Sequence, residues 1–271
     1  MLKVVEWKAF YFNMKRLKRL VILGGLVVLV ALGVLLPLLG NDRENNSYTI
    51  IRKLPHDPKA YTQGLLFHNG YLYESTGLYG ESSLRKLDLD SGWPHRQKKL
   101  SARYFGEGLA FVRGVLIQLT WKAGKAFVYN SDTFEQLREF NYEGEGWGLA
   151  FDGKSLIMSD GSERLYFREP RSFRTERTLA VTDNGRPVRF LNELEYIEGE
   201  IWANIYRSFD IVRINPSTGE VVSRIDFSGI LAPEDRNGGE DVLNGIAYDA
   251  DTKRIFITGK RYSHIYEISL R

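Results

Sequence analysis

The chain has 271 residues, which is enough for one or two ordinary domains whose cores need no cross-links. Its 37 basic and 34 acidic side chains give a formal net charge of +3, and this near balance argues against a nucleic-acid-binding surface. The absence of cysteine excludes disulfides, thiolate zinc sites and a cysteine nucleophile, and the four histidines lack the spacing of a paired-histidine zinc site.

The first predicted element is a transmembrane helix over residues 20–40. The preceding residues, 1–19, are rich in lysine and arginine and form a predicted cytoplasmic leader. Residues 20–40 contain no charged side chain, and about 20 apolar residues suffice to cross a bilayer. By the positive-inside rule the leader stays in the cytoplasm. The pattern therefore predicts a signal anchor that leaves the rest of the chain on the periplasmic or extracellular side.

A cleaved signal peptide is the alternative interpretation of residues 20–40, and it would give a secreted protein. Cleaved segments are usually shorter and end in a small-x-small site. The end of this run, Pro-Leu-Leu-Gly at residues 37–40, contains no Ala-x-Ala, so the uncleaved anchor is favoured over both cleavage and a buried soluble helix. Residues 41–47 are polar throughout and predict a short linker.

A repeat of 40 to 52 residues follows the linker. Each copy opens with a motif such as Gly-Leu-Ala-Phe and continues through a turn, a second strand and a third strand. The opening residues are Gly64, Gly108, Gly148, Glu193 and Gly245. Repeats of this length with three or four strands are typical of propeller blades, which must stack around an axis to bury their faces. The sequence therefore predicts an all-β, five-bladed β-propeller over residues 48–271.

The fifth repeat lacks an outer strand, because the sequence stops at Arg271 after the third strand of that repeat. Residues 48–52, Tyr-Thr-Ile-Ile-Arg, follow the linker and have the β-branched composition of a strand. We therefore expect this segment to complete the fifth blade and to close the ring. A β-sandwich is the alternative fold, but it does not explain five matching units.

The residue just before each opening position is predicted to lie at one mouth of the central channel. These residues are Gln63, Glu107, Trp147, Asn192 and Asn244. Four of the five are polar, and a buried polar group costs about 1–3 kcal/mol unless it is paired. Such a ring therefore calls for a ligand, an ion or water. In the alternative interpretation, these side chains bond only to one another and to the amides of the blades.

Two members of this ring suggest a chemistry. Glu107 stands between Gly106 and Gly108, which are expected to let backbone and ligand approach closely, and its carboxylate could bind an ammonium group or accept its proton. Trp147 takes the same position one repeat later. Its ring could form the wall of a small apolar pocket or, alternatively, fill the core.

A series of motifs resembles the plant and bacterial (papaya-type) glutaminyl cyclases. The series runs in order from about residue 50 to the C-terminus, through every repeat. It includes Tyr-Thr-Gln-Gly-Leu at 61–65, Phe-Gly-Glu-Gly-Leu at 105–109, Gly-Glu-Gly-Trp-Gly at 144–148, Leu-Asn-Glu-Leu-Glu at 191–195 and Asp-Val-Leu-Asn-Gly at 241–245. The resemblance implies a five-bladed propeller and a glutaminyl-peptide cyclotransferase. Such an enzyme converts the N-terminal glutamine of peptides or proteins to pyroglutamate and releases ammonia.

The resemblance also implies roles for individual residues. Glu107 matches the acid–base carboxylate of the family, and Lys260 and Asn192 match polar pocket residues with expected parts in catalysis. The expected substrate-binding residues, among which Asn244 is added from its place in the ring, are Tyr61, Gln63, Phe105, Trp121, Trp147, Tyr206 and Asn244. Tyr206 is a departure, because the family often carries tryptophan at that position.

The implied reaction requires no metal, which distinguishes this group from the zinc-dependent animal cyclases. Plant members carry a calcium ion in the channel, so a structural calcium is a candidate here, with ligands unknown. Two other functions stay open, namely a calcium-dependent lactonase or esterase and a non-catalytic binding propeller in the periplasm or at the cell surface. The combination of Glu107, Lys260 and Trp147 favours an enzyme over a pure scaffold.

Overall fold

The computed structural model describes residues 48–271. The predicted leader (1–19), signal anchor (20–40) and linker (41–47) lie outside the described residues. Among residues 48–271, no helix has the length and apolar character needed to span a membrane.

The described chain is built almost entirely from antiparallel β-strands, joined by tight turns and interrupted by a single turn of 3-10 helix at Pro233–Asp235. The strands in chain order are β1 (Tyr48–Pro55), β2 (Thr62–His68), β3 (Tyr71–Thr76), β4 (Ser83–Asp88), β5 (Pro94–Lys99), β6 (Gly106–Val112), β7 (Val115–Thr120), β8 (Lys125–Asn130), β9 (Gln136–Asn141), β10 (Leu149–Phe151), β11 (Leu156–Ser159), β12 (Arg164–Arg168), β13 (Thr175–Ala180), β14 (Thr182–Asp183), β15 (Arg186–Pro187), β16 (Leu191–Ile197), β17 (Glu200–Ile205), β18 (Asp210–Ile214), β19 (Val221–Asp226), β20 (Leu243–Asp249), β21 (Arg254–Gly259) and β22 (His264–Leu270).

The strands form five four-stranded sheets, and this confirms the predicted five-bladed propeller. Blades 1 to 4 are β2–β5, β6–β9, β10–β13 and β16–β19, each in simple up-and-down order, whereas β14 and β15 form a small separate hairpin. Blade 5 consists of β20, β21 and β22 with β1 as its outer strand. The first strands of neighbouring blades contact one another in the closed cycle β2, β6, β10, β16, β20. These innermost strands therefore surround the central channel.

The ring closes through β1, as the sequence predicted. This strand runs antiparallel to β22, with Tyr48 opposite Leu270 and Pro55 opposite His264. Its side chains differ in exposure, since Leu54 is 3% exposed in the core whereas Ile51 is 58% exposed. The first and last strands of the described chain are thus joined in one sheet, so neither end of the ring can open without breaking that pairing.

Glycine at the opening positions allows the innermost strands to pack closely. A Cβ atom on Gly64 would lie 2.6 Å from the amide nitrogen of Leu109, and one on Gly108 would lie 2.5 Å from that of Leu149. Real Cβ atoms essentially never come within 3.0 Å of such a neighbour. A Cβ atom on Gly106 would likewise lie 2.6 Å from the carbonyl oxygen of Thr76. The glycines beside Glu107 therefore let the backbone of adjacent blades approach closely, and the close approach of a ligand stays a prediction.

The hydrophobic core is divided among the junctions between blades. Within residues 48–271 there are five clusters of buried apolar side chains, and each contains residues from two neighbouring blades. The junction between blades 5 and 1, for example, is filled by Leu54, Leu65, Leu72, Phe256 and Ile265. Because each blade depends on its neighbours for burial, the ring holds the innermost strands in fixed positions around the channel.

Candidate active site

A cavity of about 200 Å³ collects nine of the ten residues that the sequence predicted for the site. It is lined by Tyr61, Gln63, Phe105, Glu107, Trp121, Trp147, Asn192, Tyr206 and Lys260. All five blades contribute, and the four members of the predicted ring that line the cavity lie at or just before the beginning of innermost strands. The tenth residue, Asn244, is fully buried beside Gln63 and does not belong to the lining.

Glu107 is a buried carboxyl group with only one hydrogen-bond partner among the described residues. It is 4% exposed, and its Oε1 accepts a hydrogen bond of 2.8 Å from the side-chain amide of Gln63. Burial raises the pKa of Glu107 well above its usual value. The positive charge of Lys260 lowers this pKa and the negative charge of Glu145 raises it, but burial has the largest effect. A carboxyl group in this environment holds its proton at a higher pH than an exposed one does and can therefore act as an acid as well as a base.

Asn244 fixes the orientation of Gln63. Its Nδ2 donates hydrogen bonds to the backbone carbonyl of Thr62 at 3.0 Å and to Oε1 of Gln63 at 3.2 Å. Because the Gln63 carbonyl accepts from Asn244, the Gln63 NH₂ group is the end that points to Glu107. Asn244 was predicted to bind substrate, but the structure places it behind Gln63, where it orients a residue that lines the cavity.

Lys260 brings a positive charge into the cavity. It is 3% exposed, and its Nζ lies 4.8 Å from the ring centroid of Tyr61 and 5.1 Å from that of Tyr206. Burial lowers the pKa of Lys260, although the charges of Glu107 and Asp241 act in the opposite direction. Two electron-rich ring faces thus take the place of water around the ammonium group.

Asn192 reaches the cavity with an amide that is free to bind. Its backbone carbonyl accepts a hydrogen bond of 2.7 Å from the hydroxyl of Ser159, which joins blade 4 to blade 3. Its side-chain amide has no hydrogen-bond partner within residues 48–271, although the residue is only 2% exposed. A ligand in the cavity could therefore pair with both its N–H and its C=O groups.

Aromatic rings form most of the cavity wall. Phe105 meets Trp121 at a centroid distance of 5.5 Å, and Trp147 meets Tyr206 edge to face at 5.6 Å. A glycine in a turn makes space for the Trp147 ring, since a Cβ atom on Gly161 would lie 2.6 Å from it. Such walls enclose a small apolar space in which charges and hydrogen bonds act with little screening by water.

Two acidic residues near this wall were not singled out from the sequence. Oε2 of Glu145 accepts hydrogen bonds from the indole N–H groups of Trp121, at 2.7 Å, and Trp147, at 3.0 Å. Asp241 accepts a hydrogen bond of 2.9 Å from the hydroxyl of Tyr61. The motif around Glu145 was visible in the sequence, but nothing in it indicates that one carboxylate meets tryptophans of two different blades.

Glu193 explains why the fourth repeat opens with glutamate where the others have glycine. Its carboxylate reaches across the channel, and it accepts hydrogen bonds from the backbone N–H groups of Leu65 in blade 1, at 3.1 Å, and Ile246 in blade 5, at 2.9 Å. Both oxygens are therefore engaged by the protein itself. Burial raises the pKa of Glu193, and the nearby charge of Glu195 adds to that effect.

Metal donors do not gather in the described part of the chain. Residues 48–271 contain no group of three or more histidine, aspartate or glutamate side chains placed to hold a metal ion. Calcium takes six to eight oxygen ligands, whereas both oxygens of the channel carboxylate Glu193 already accept backbone N–H groups. Glu193 therefore offers no free oxygen to such an ion, and a structural calcium in the channel stays a prediction.

The arrangement suits acid–base chemistry on a small polar group held between aromatic walls. Glu107 can exchange a proton, Lys260 can stabilise a developing negative charge, and the amides of Gln63 and Asn192 can hold polar atoms. The three functions converge on one cavity because Gln63, Glu107 and Asn192 lie at the beginnings of innermost strands. Lys260 joins them because it follows the end of β21, which pairs with the beginning of the innermost strand β20.

Comparisons with known proteins agree with this fold and identify the family of the chain. The family model for glutamine cyclotransferase matches residues 27–270. Over 232 residues the chain is 44% identical to the glutaminyl-peptide cyclotransferase of Arabidopsis thaliana, with 83% of this chain and 72% of that protein covered. The crystal structure of the glutaminyl cyclase of Myxococcus xanthus matches with a TM-score of 0.78 and 41% identity, covering 83% of this chain and 97% of that one.

The family match takes in all five blades, including every residue that lines the cavity. The plant relative is similar in sequence, and the bacterial relative is similar in both sequence and architecture, each over 83% of this chain. This chain belongs to the glutamine cyclotransferase family.

Proposed function

We propose that this protein is a glutaminyl-peptide cyclotransferase, which converts the N-terminal glutamine of peptides and proteins to pyroglutamate and releases ammonia. The observation that carries the proposal is the convergence of Glu107, Lys260 and Asn192 in one aromatic-walled cavity. Family membership and the names of both relatives support the same activity. The cavity volume of about 200 Å³ suits one amino-acid side chain and its α-amino group.

The reaction requires a compact conformation of the substrate. The α-amino nitrogen attacks the side-chain amide carbon, a C–N bond forms, and the carbonyl oxygen becomes negatively charged. The bond to the amide nitrogen then breaks, and that nitrogen leaves as ammonia. Because the attack is intramolecular, holding the side chain folded back on its own amine supplies much of the acceleration. The aromatic walls provide a space that favours this conformer over an extended one.

Glu107 is the proposed proton carrier. The attacking amine must lose a proton and the departing amide nitrogen must gain one, so a single carboxyl group can serve both steps. A free α-amine has a pKa near 7.7–8.0, so a minority is neutral at pH 7 without assistance. The raised pKa of Glu107 makes its protonated form available to the leaving group at the same pH.

Lys260 and Asn192 are proposed to stabilise the negative charge on the carbonyl oxygen. Lys260 offers a full positive charge in a water-poor cavity, where electrostatic interactions are stronger than in water. Asn192 offers an unpaired amide N–H. Gln63, with its carbonyl held by Asn244, keeps Glu107 in a fixed position.

We propose that this chemistry uses no metal ion. The four described histidines support this, because each contacts residues outside the cavity. His56 is engaged with Glu74 and the carbonyl of Tyr262, and His68 stacks on Phe111. His95 lies beside the ring of Tyr71, and His264 contacts Ser263 and Asp235. A structural calcium in the channel finds less support, since Glu193 is already committed to two amides.

We propose further that residues 20–40 anchor the protein in a membrane, with the propeller on the periplasmic or extracellular side. The uncharged run and its basic leader support this placement. Fractionation of cells that express the full chain tests it, because an anchored protein stays in the membrane pellet after a high-salt wash and dissolves in detergent. Release of the full-length protein in the soluble fraction would contradict the anchor, and a shortened soluble form would indicate signal cleavage.

The activity is tested by incubating the purified protein with a Gln-initiated peptide and measuring ammonia release. Mass spectrometry should show the loss of one ammonia from the peptide. The same peptide with an acetylated N-terminus is the control, because it lacks the attacking amine and should not react. Absence of ammonia release from the unblocked peptide, with a folded protein, would overturn the proposal.

A further inference from the structure

Glu145 links two walls of the cavity although it does not line the cavity itself. It lies in the loop between β9 and β10, and its side chain is 38% exposed. A single oxygen atom, Oε2, accepts both indole N–H groups, that of Trp121 in blade 2 at 2.7 Å and that of Trp147, which precedes the inner strand of blade 3, at 3.0 Å. Two rings that belong to different blades thus share one acceptor.

The other side of Glu145 is held by electrostatics. Its Oε1 lies 3.8 Å from Nζ of Lys122, and that ammonium group stands 3.9 Å from the ring centroid of Trp121. Behind the carboxylate is a second cavity of about 480 Å³, which Glu145 lines together with Asp160 and Arg168. Because this cavity leaves one side of Glu145 open, the carboxylate is kept in place by hydrogen bonds and charge and not by close packing.

We infer that Glu145 is a positioning residue for the reaction, because it fixes the rotation of the Trp121 and Trp147 rings that confine the folded-back glutamine side chain. This inference rests on the proposed function. An indole N–H that loses its carboxylate binds water or another acceptor instead, so its ring is no longer held at one rotation. Rings that can rotate confine the substrate side chain less well in the conformation in which its amine reaches the amide carbon.

Glu145 also acts on Glu107 through its charge. The negative charge of Glu145 adds to burial in raising the pKa of Glu107. The geometric effect and the charge effect can be separated, because glutamine keeps an acceptor oxygen for the indoles but carries no charge, whereas alanine removes both. The two substitutions therefore predict different kinetic changes.

The experiment compares Glu145→Ala and Glu145→Gln with the wild type, using a Gln-initiated peptide over a range of pH. For Glu145→Ala we expect kcat/KM to fall roughly 10–100-fold, with a large part of the loss in KM, because the walls no longer hold the reactive conformer. For Glu145→Gln we expect KM within a few-fold of wild type, and the limb of the pH–rate profile that reports Glu107 shifted to lower pH. Glu143→Gln is the matched control, since this exposed residue is two positions away and makes no bond to either indole.

Ring positions provide a readout that does not depend on activity. The indole N–H resonances of Trp121 and Trp147 in two-dimensional NMR should both move in Glu145→Ala and stay in place in Glu143→Gln. If the wild type is active and Glu145→Ala folds with unchanged KM, kcat and indole resonances, the inference about Glu145 is overturned. If the wild type itself releases no ammonia, the proposed function fails, whereas coupled movement of both indole resonances would still support the structural link.

Discussion

The side-chain amide of Gln63 donates a hydrogen bond of 2.8 Å to Oε1 of Glu107. This bond occupies one oxygen of the carboxyl group. The other oxygen, Oε2, has no hydrogen-bond partner within residues 48–271, so in the proposed mechanism it is the atom that exchanges a proton with the substrate. The pairing of these two residues on neighbouring blades thus fixes one oxygen of a buried carboxyl group and leaves the other unpaired.

Replacement of Glu107 by glutamine should remove the proton carrier and keep the shape of the cavity. The substituted amide can still accept the bond from Gln63, so little change in melting temperature is expected. General acid–base groups typically contribute about 10²–10⁴-fold, and kcat should fall by that much. KM should change less. Measurement of kcat and melting temperature on one preparation checks this, and near-normal turnover in a folded variant would remove Glu107 from the catalytic residues and leave Lys260 as the next candidate.

Asn244→Ala should lower activity through Gln63. Without its donor, the Gln63 amide can rotate and turn its carbonyl oxygen toward the carboxyl group of Glu107. Loss of one buried hydrogen bond costs about 1–3 kcal/mol, and if the transition state loses that much, kcat/KM falls roughly 5- to 150-fold. Asn204→Ala is the control, because Asn204 is equally buried but accepts only from the backbone N–H of Gly245. Equal activity losses in the two variants would contradict a specific role for Asn244.

The pH dependence of stability should reflect Glu195. Its side chain is half-buried, and the resulting loss of hydration raises its pKa to about 8 from the ordinary value of 4.5. A folded-state pKa above the unfolded value gives stability that is present at low pH and is lost as the pH rises from 4.5 through about 8. Glu195→Gln, which stays neutral, should therefore match the wild type near about pH 5 and melt at a higher temperature than the wild type near about pH 9. Thermal melts at both pH values check this, and a variant less stable than wild type at alkaline pH would contradict the cause assigned here.

The closure strand offers a matched pair of substitutions. Leu54→Ala should lower the free energy of unfolding by about 2–5 kcal/mol, because Leu54 fills the junction between blades 5 and 1. Ile51→Ala, on the same strand but with its side chain in solvent, should change it far less. Denaturant unfolding of both variants measures the difference. Similar losses for the two would indicate that β1 contributes through its backbone pairing alone.

Chelators should leave the activity intact. Treatment with 1,10-phenanthroline is expected to change kcat by less than a few-fold, because Glu107 and Lys260 can perform the proposed proton transfer and charge stabilisation without a metal. Ammonia release before and after treatment measures this, with zinc added back as the control. Complete inhibition that zinc reverses would overturn the metal-independent reaction.

The sequence alone determined the number of blades and the position of the closing strand. Both follow from local patterns, since each repeat carries its own opening motif and its own strands, and residues 48–52 are the strand left without a partner. The residues that line the cavity were also accessible, because an innermost strand in each repeat begins near the same mouth and the family motifs mark those positions. Such features can be predicted from the sequence because they recur at a regular spacing along the chain.

Only the tertiary structure decided which residues hold the cavity-lining side chains in position. Asn244 and Gln63 are 181 residues apart in sequence, and Glu145 meets one tryptophan 24 residues away and another two residues away. Glu193 was visible as an exception to glycine, but its two backbone partners belong to other blades. These contacts form only when the ring of blades is closed, because side chains from different blades then face one another across the channel. Sequence spacing does not indicate which side chains will face one another.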